Sequence, residues 1–233
     1  PVILVVFGGR AQVISGIAEK CAAVIQAWYP GEEGGNAVAD ILYGNVSPSG
    51  KLSVSYPNTE LSEPICYNYS AEKDPRIQWP FGYGLSYTTF EYSNLKTDGK
   101  AKTSDQSVSI SFEVKNTGEV AADEIAQIYI SPTTDDQHIR PIQFQGFARV
   151  SLQPGESKTV NVKLYTEQFG FYDNDGKSTE QLLIPGGADI RGRMSRRVVS
   201  PLGQWNILPG KFIVKVGASS ADIRLQKELT LEG

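Results

Sequence analysis

The segment Ala27-Trp28-Tyr29-Pro30-Gly31-Glu32-Glu33-Gly34-Gly35-Asn36-Ala37-Val38-Ala39-Asp40-Ile41-Leu42-Tyr43-Gly44 decides the class of the N-terminal part. It reads as the end of a buried strand, a tight glycine-rich turn and a helix packed close behind. The run over residues 22–28 is short and mostly apolar, as a strand covered on both faces should be. Pro30 and Gly31 stop it, since proline removes a ladder donor and glycine admits backbone angles that other residues avoid. Val38, Ile41 and Leu42 then fall at helical spacing, and Gly44 stands where a C-cap glycine is expected. Glu32 and Glu33 lie near the helix start, where negative charge suits the macrodipole. The unit is strand, turn, helix, from a parallel α/β layer.

Glycine turns before helices often cradle phosphate, but this one has the wrong chemistry. A nucleotide site calls for GxGxxG, or for GxxxxGK followed by Ser or Thr. Gly31-Glu32-Glu33-Gly34-Gly35 offers no lysine and two carboxylates that would repel a phosphate. The paired glutamates also invite an acid/base reading, because glycoside hydrolysis runs on two carboxyl groups. Adjacent residues on a helix do not face each other, so the structural reading as helix-start charges is preferred.

Upstream, residues 2–7 read as a second buried strand, followed by Gly8-Gly9 and a helix near residues 14–21. Right-handed crossovers would set the two strands side by side. Two parallel strands cannot bury both faces or close their own edges, so residues 1–57 are read as an incomplete layer. Downstream, Ser47-Pro48-Ser49-Gly50 is a turn and residues 51–56 alternate as a strand before Pro57. Residues 58–80 are polar, proline-dotted and without periodicity, which predicts a long loop. Tyr67, Tyr69, Trp79, Phe81, Tyr83 and Tyr87 crowd this region. Such rings either stack on sugar faces or fasten two domains, and fastening is preferred because amphipathic rings are the usual interface anchors.

From Ser107 the pattern is all-β. Val108, Ile110, Phe112 and Val114 alternate before Asn116-Thr117-Gly118, and Val160, Val162 and Leu164 alternate after Gln153-Pro154-Gly155-Glu156. Phe212, Val214 and Val216 follow Leu208-Pro209-Gly210, with a last strand through Ile223, Leu225, Leu229 and Leu231. Short strands between repeated turns fit an immunoglobulin-like sandwich. The expected architecture is α/β followed by all-β. A partial parallel α/β sandwich layer spans 1–57, a loop and aromatic connector 58–106, and an immunoglobulin or fibronectin-III-like β-sandwich 107–233.

Composition narrows the function. At 233 residues with a net charge of −4, the chain offers no long-range attraction to nucleic acid or anionic membranes. No run reaches the roughly 18 apolar residues that span a bilayer, and the start has no basic flank or cleavage site of a signal peptide. Cys21 and Cys66 are too few for a disulfide scaffold or an all-cysteine zinc site, and a bridge between them stays open. Asn45-Val46-Ser47 and Asn68-Tyr69-Ser70 match the glycosylation triplet, which matters only in a eukaryotic secretory route. A Ser-His-Asp triad needs a histidine, and the only one is His138, in the expected loop 133–140. With Asp135 and Asp136 it makes poor metal geometry, so a solvated role is preferred. Asp173-Asn174-Asp175-Gly176 starts like an EF-hand loop, but Ile184 stands where the closing glutamate belongs, and an Asp-Gly turn explains it. No cofactor and no metal site are expected.

Residues 27–57, ending Ser49-Gly50-Lys51-Leu52-Ser53-Val54-Ser55-Tyr56-Pro57, closely resemble the second domain of glycoside hydrolase family 3. Trp79-Pro80-Phe81-Gly82-Tyr83-Gly84-Leu85-Ser86-Tyr87-Thr88-Thr89-Phe90 resembles the connector into that family's fibronectin-III-like domain, which residues 107 onward resemble in the order of their turns. Between residue 172 and Pro209 the family has a short hairpin. Here residues 174–205 are longer and carry Arg191-Gly192-Arg193-Met194-Ser195-Arg196-Arg197, read as a solvated loop in an acidic chain.

The resemblance implies a retaining β-glucosidase or β-xylosidase-like enzyme, whose carboxyl groups stand about 5–5.5 Å apart. It places the nucleophile aspartate in a barrel domain and the acid/base glutamate upstream of residue 1, so no catalytic residue is expected within this chain. It implies as partners a barrel and a half-sandwich of the same enzyme and, for the whole protein, a β-linked oligosaccharide substrate. A periplasmic or secreted setting is favoured by the resemblance alone. The motif residues singled out, all in structural roles, are Trp28, Gly31, Glu32, Glu33, Gly34, Gly35, Trp79, Phe81, Tyr83 and Tyr87. The competing class is a free-standing carbohydrate- or protein-binding sandwich module. A free module has no reason to carry two orphan β-α units.

Overall fold

The computed structural model describes residues 1–60, 65–68, 74–133, 141–173, 183–188, 194–198, 204–207 and 209–233. The His138 loop, the turn at 174–176 and the start of the basic run at 191–193 lie outside them.

Strand β1 (Ile3–Phe7) pairs in parallel with β2 (Ala23–Trp28), Ile3 opposite Ala23 and Val5 opposite Ile25. Between them α1 (Ser15–Ala18) is a single turn, shorter than the helix expected near 14–21. Gly16 weakens it, its N-cap Ile14 lacks a capping side chain, and tighter turn bonds from Lys20 N to Ile17 O and Cys21 N to Ala18 O close it early. Helix α2 (Gly34–Leu42) carries Val38, Ile41 and Leu42 and begins inside the glycine turn. It ends in a Schellman motif. Gly44 takes a φ of 76°, its N–H donates to Ile41 O, and Asn45 N–H donates to Asp40 O.

The strand expected over 51–56 shrinks to β3 (Tyr56–Pro57), which pairs antiparallel with β4 (Ile77–Trp79) from the stretch read as loop. Leu52 accounts for the difference. Its N–H donates to Tyr83 O and its carbonyl accepts from Gly82 N, so this segment spends its backbone bonds on the connector instead of a ladder.

The sandwich begins earlier than Ser107. Strands β5 (Phe90–Thr97) and β6 (Lys100–Lys102), from the stretch assigned to the connector, belong to it. A register shift between Ser93 and Lys96, with Asn94 at a φ of 55°, breaks the alternation that would have revealed β5. There follow β7 (Ser107–Asn116), β8 (Ala122–Pro132), β9 (Gln143–Leu152) and β10 (Ser157–Tyr165). Then come β11 (Gly170–Asp173), β12 (Leu183–Ala188), β13 (Met194–Val198), β14 (Gln204–Ile207), β15 (Gly210–Ser219) and β16 (Asp222–Glu232). A three-stranded sheet of order β10-β7-β5 faces a five-stranded sheet of order β6-β16-β15-β8-β9. Strands β11 and β14 pair with each other, as do β12 and β13, so the stretch 174–205 read as a loop carries strand structure where it is described, with Arg196 and Arg197 on β13.

The core lies between the two large sheets. Val108, Ile110, Phe112 and Val114 of β7 meet Ala126, Ile128 and Ile130 of β8, Val214 and Val216 of β15, and Leu229 and Leu231 of β16. Each such side chain taken from water contributes about 1.5–3 kcal/mol for the larger residues. The α/β part is the opposite case. Val2, Ile3, Phe7, Val13, Ile17, Leu42, Tyr43 and Val46 are all exposed, and β2 is at most half-buried along its length.

This contrast has a measurable consequence. In the chain expressed alone, amides of β1 and β2 should exchange at least about tenfold faster than those of β7, β8 and β15, because fewer apolar contacts resist local opening. Equal protection of the two regions in a demonstrated monomer would show that the parallel pair is stable without further cover.

Candidate functional site

Strand β2 ends in an unusual way. Trp28 adopts a φ of 52°, the left-handed region that glycine favours, and Gly31 follows at 75°. The reversal brings Pro30 over the helix start, where a Cβ on Gly34 would stand 2.5 Å from Pro30 Cγ. Gly34 is therefore required for close approach, whereas Gly35 has open space at the same position. Glu33 is the N-cap and Glu32 precedes it, both exposed, with Asn36 Nδ2 donating to Glu33 Oε2. They stand side by side on one exposed turn and do not face each other across a cleft.

Behind the turn, the half-buried Trp28 ring lies edge-on to Tyr56 at 6.4 Å, and Tyr56, 1% exposed, contacts Trp79 at 5.6 Å. The connector runs on from Trp79. The half-buried Phe81 stacks on Tyr67 at 4.3 Å and meets Phe144 of β9 at 5.4 Å, and Phe144 in turn meets Tyr129 of β8. Tyr83 is half-buried and takes part through its backbone, accepting from Leu52 N. Tyr87 keeps an exposed ring, but its hydroxyl donates to Ile41 O near the end of α2 at 2.7 Å. Trp28 and Trp79 thus gather around Tyr56, Phe81 docks on the sandwich, and Tyr87 reaches back to the helix.

Polar groups that the sequence reading did not single out hold this seam. Gln127 Nε2 donates to Gly82 O at 2.9 Å and to Ala218 O at 2.7 Å, and Tyr129 Oη donates to Gln127 Oε1. Gly82, at a φ of 81°, leaves no room for a side chain, since a Cβ there would stand 2.0 Å from Gln127 Oε1. Buried Asn116 accepts from Thr88 Oγ1 and donates to Val120 O and Leu152 O. Lys51 Nζ lies 3.5 Å from Glu124 Oε1, which also accepts from Tyr92 Oη at 2.8 Å. Burial, together with the Glu124 charge, holds the Tyr92 phenol above its ordinary pKa and so keeps it a donor. The signal available in sequence was a polar residue at core-facing parity, Glu124 sharing the parity of Ala126 and Ile128.

Among the described residues no group of three or more His, Cys, Asp or Glu side chains converges as metal ligands would, and no helix is long and apolar enough to cross a membrane. Cys21 and Cys66 are not bridged. The Cys21 thiol donates to Ile17 O. Glu124, a buried carboxylate, is engaged by Lys51 and Tyr92 and has no carboxylate partner among the described contacts.

Comparison with known proteins accounts for both halves. The Glycosyl hydrolase family 3 C-terminal domain matches residues 1–87, and the Fibronectin type III-like domain matches residues 124–185. The chain belongs to glycoside hydrolase family 3, in its C-terminal portion. It is 36% identical to a beta-glucosidase of Kluyveromyces marxianus over 92% of its own length and 24% of that enzyme. It is 38% identical to a xylan 1,4-beta-xylosidase of Xylanibacter ruminicola over 97% of its length and 24% of the relative. The solved beta-glucosidase of Listeria innocua in complex with glucose superposes on the whole chain with a TM-score of 0.80 at 28% identity, and the chain covers 31% of it. The family 3 chain therefore spans about a quarter of the length of these curated relatives.

Two substitutions test the seam of this family 3 chain. Phe81→Ala should cost about 2 kcal/mol in thermal or denaturant unfolding, below the ~3–5 kcal/mol of a fully enclosed ring because Phe81 is half-buried. Gly82→Ala should cost about 3 kcal/mol, combining left-handed strain with the displacement of Gln127 from two carbonyls. Unchanged melting in both variants would mean that the rings are free to serve a ligand instead.

Proposed function

We propose that this chain is the C-terminal part of a retaining, exo-acting β-glycosidase, β-glucosidase-like, which removes non-reducing-end sugars from β-linked oligosaccharides or glycosides. The chain supplies the rigid outer domain and one wall of the cleft, while the catalytic pair sits on the remainder of the same polypeptide, a barrel and a half-sandwich. The observation that carries this reading is the apolar surface of the α/β part. Ten of the fifteen exposed large hydrophobic side chains among the described residues fall within residues 2–54, too many for a surface that stays in water. Relatives about four times longer are consistent with a further part that covers it.

The carboxylates fit the same division of labour. A retaining pair stands about 5–5.5 Å apart on opposite sides of the scissile bond. Glu32 and Glu33 are neighbours on one exposed turn, and Glu124 is neutralised by a buried lysine. At the carboxyl ends of β1 and β2, Arg10, Tyr29, Glu32 and Glu33 are all exposed, and the Tyr29 ring lies over Gly9. Ligands of open α/β sheets bind beyond this end of the strands, which makes it the edge that would face the cleft.

The test compares the chain alone with the full-length protein on p-nitrophenyl β-glucoside and β-xyloside. Turnover is expected from the full-length protein and none from the isolated chain. Turnover by the isolated chain that Glu33→Gln abolishes would restore the paired-glutamate reading. A chain that is monomeric alone and binds β-glucan, from a full-length protein without turnover, would favour a binding module.

A further inference from the structure

Beyond the glycosidase reading, the geometry points to Lys51 as a plug that couples the α/β part energetically to the sandwich, so that the sandwich braces helix α2 and the Glu32-Glu33 turn at its start. The inference does not depend on catalysis. It rests on where the lysine comes from and on what receives it.

Lys51 belongs to the α/β side, following α2 by a short turn, yet its ammonium ends inside the seam with a side chain only 11% exposed. Three segments build its socket. Gly84 of the connector offers its carbonyl at 2.9 Å, β8 offers Glu124, 4% exposed, at 3.5 Å, and β5 offers Tyr92, whose hydroxyl donates to the same Glu124 oxygen. The socket is shaped for an unbranched stem. A Cβ on Gly84 would stand 2.1 Å from Gly50 O and 3.1 Å from Lys51 Cδ, so glycine is what lets the connector pass this close to the Gly50 backbone beside the lysine stem. Arg224 of β16 closes the far side, its guanidinium 4.9 Å above the Tyr92 ring and its Nη1 donating to Phe90 O. The contact therefore runs from the end of the α/β part to the last strand of the sandwich.

An ion pair removed from water is costly to break on one side, because the remaining charge stays buried without compensation. Losing either member therefore penalises the docked arrangement far more than an exposed pair would. The docked arrangement is also what holds α2. Tyr87 N donates to Ser47 Oγ, Ser47 and Ser86 share a hydrogen bond, and Tyr87 Oη donates to Ile41 O. These bonds tie the connector to the C-terminal end of the helix, and the lysine ties the connector to the sandwich.

The experiment is hydrogen exchange on the full-length protein, comparing peptides over α2 with peptides over β15. Lys51→Met and Glu124→Gln should each speed α2 exchange on the order of a hundredfold relative to β15. Lys51→Met with Glu124→Met together should return it to within about tenfold of the parent, since no orphan charge remains. Tyr92→Phe, mild enough to fold in any background, should speed α2 about tenfold by removing one bond to a charged acceptor. An effect of the double variant equal to the product of the single effects would overturn the inference. So would equal acceleration of α2 and β15, which would assign the pair to the sandwich's own stability, or unchanged α2 exchange in Tyr92→Phe. None of these readouts requires turnover, so a failed glycosidase assay and a failed coupling test remain distinct results.

Discussion

Both faces of strand β8 must be kept from water, and the rest of the structure follows from how that is done. One face needs nothing special. Ala126, Ile128 and Ile130 enter the sandwich core, where the opposite sheet covers them. The other carries Gln127, Tyr129 and Ser131, all buried. The aromatic connector is its cover. Phe144 lies against Tyr129, and Phe81, stacked on Tyr67, lies against Phe144, while Gln127 Nε2 satisfies the carbonyl of Gly82. Burying Gln127 without those carbonyls would leave an amide unpaired, at a cost of about 1–3 kcal/mol. The connector thus completes the sandwich and at the same time fixes the direction in which the α/β part leaves it.

The two parts are stabilised in different ways. The sandwich has a continuous core between sheets of three and five strands, and β7, β10 and β15 read clearly as alternating. The α/β part has one parallel pair, one helix of useful length and a broad exposed apolar surface. Its internal order depends on what it touches. On one side that is the seam, with its buried lysine and shared glutamate. The family 3 relatives, several times longer, carry a further portion. A part with its own continuous core is thus joined to one that exposes much of its apolar surface.

Much of this was legible in the sequence, and the residues concerned show why. The turn at Gly31, the helix C-cap at Gly44 and the alternation of Val108, Ile110, Phe112 and Val114 are local phenomena, set by φ/ψ preference and by side-chain periodicity. Gly31 and Gly44 both sit at positive φ, and all four β7 residues are buried. The failures were also local. Alternation predicted a strand over 51–56, but Leu52 gave its backbone bonds to the connector. A bulge at Asn94 hid β5.

The sequence by itself therefore determined the α/β then all-β order, the turn-and-helix unit and the aromatic character of the connector, because each depends on residues within one or two turns of chain. Only the tertiary structure decided which polar groups became partners. Lys51 and Glu124 are separated by more than seventy positions, and Gln127 and Ala218 by 91, so no local pattern brings them together. The attraction between Lys51 and Glu124 becomes strong only after the two parts dock and exclude water, since a charge pair gains most where the surroundings can no longer screen it.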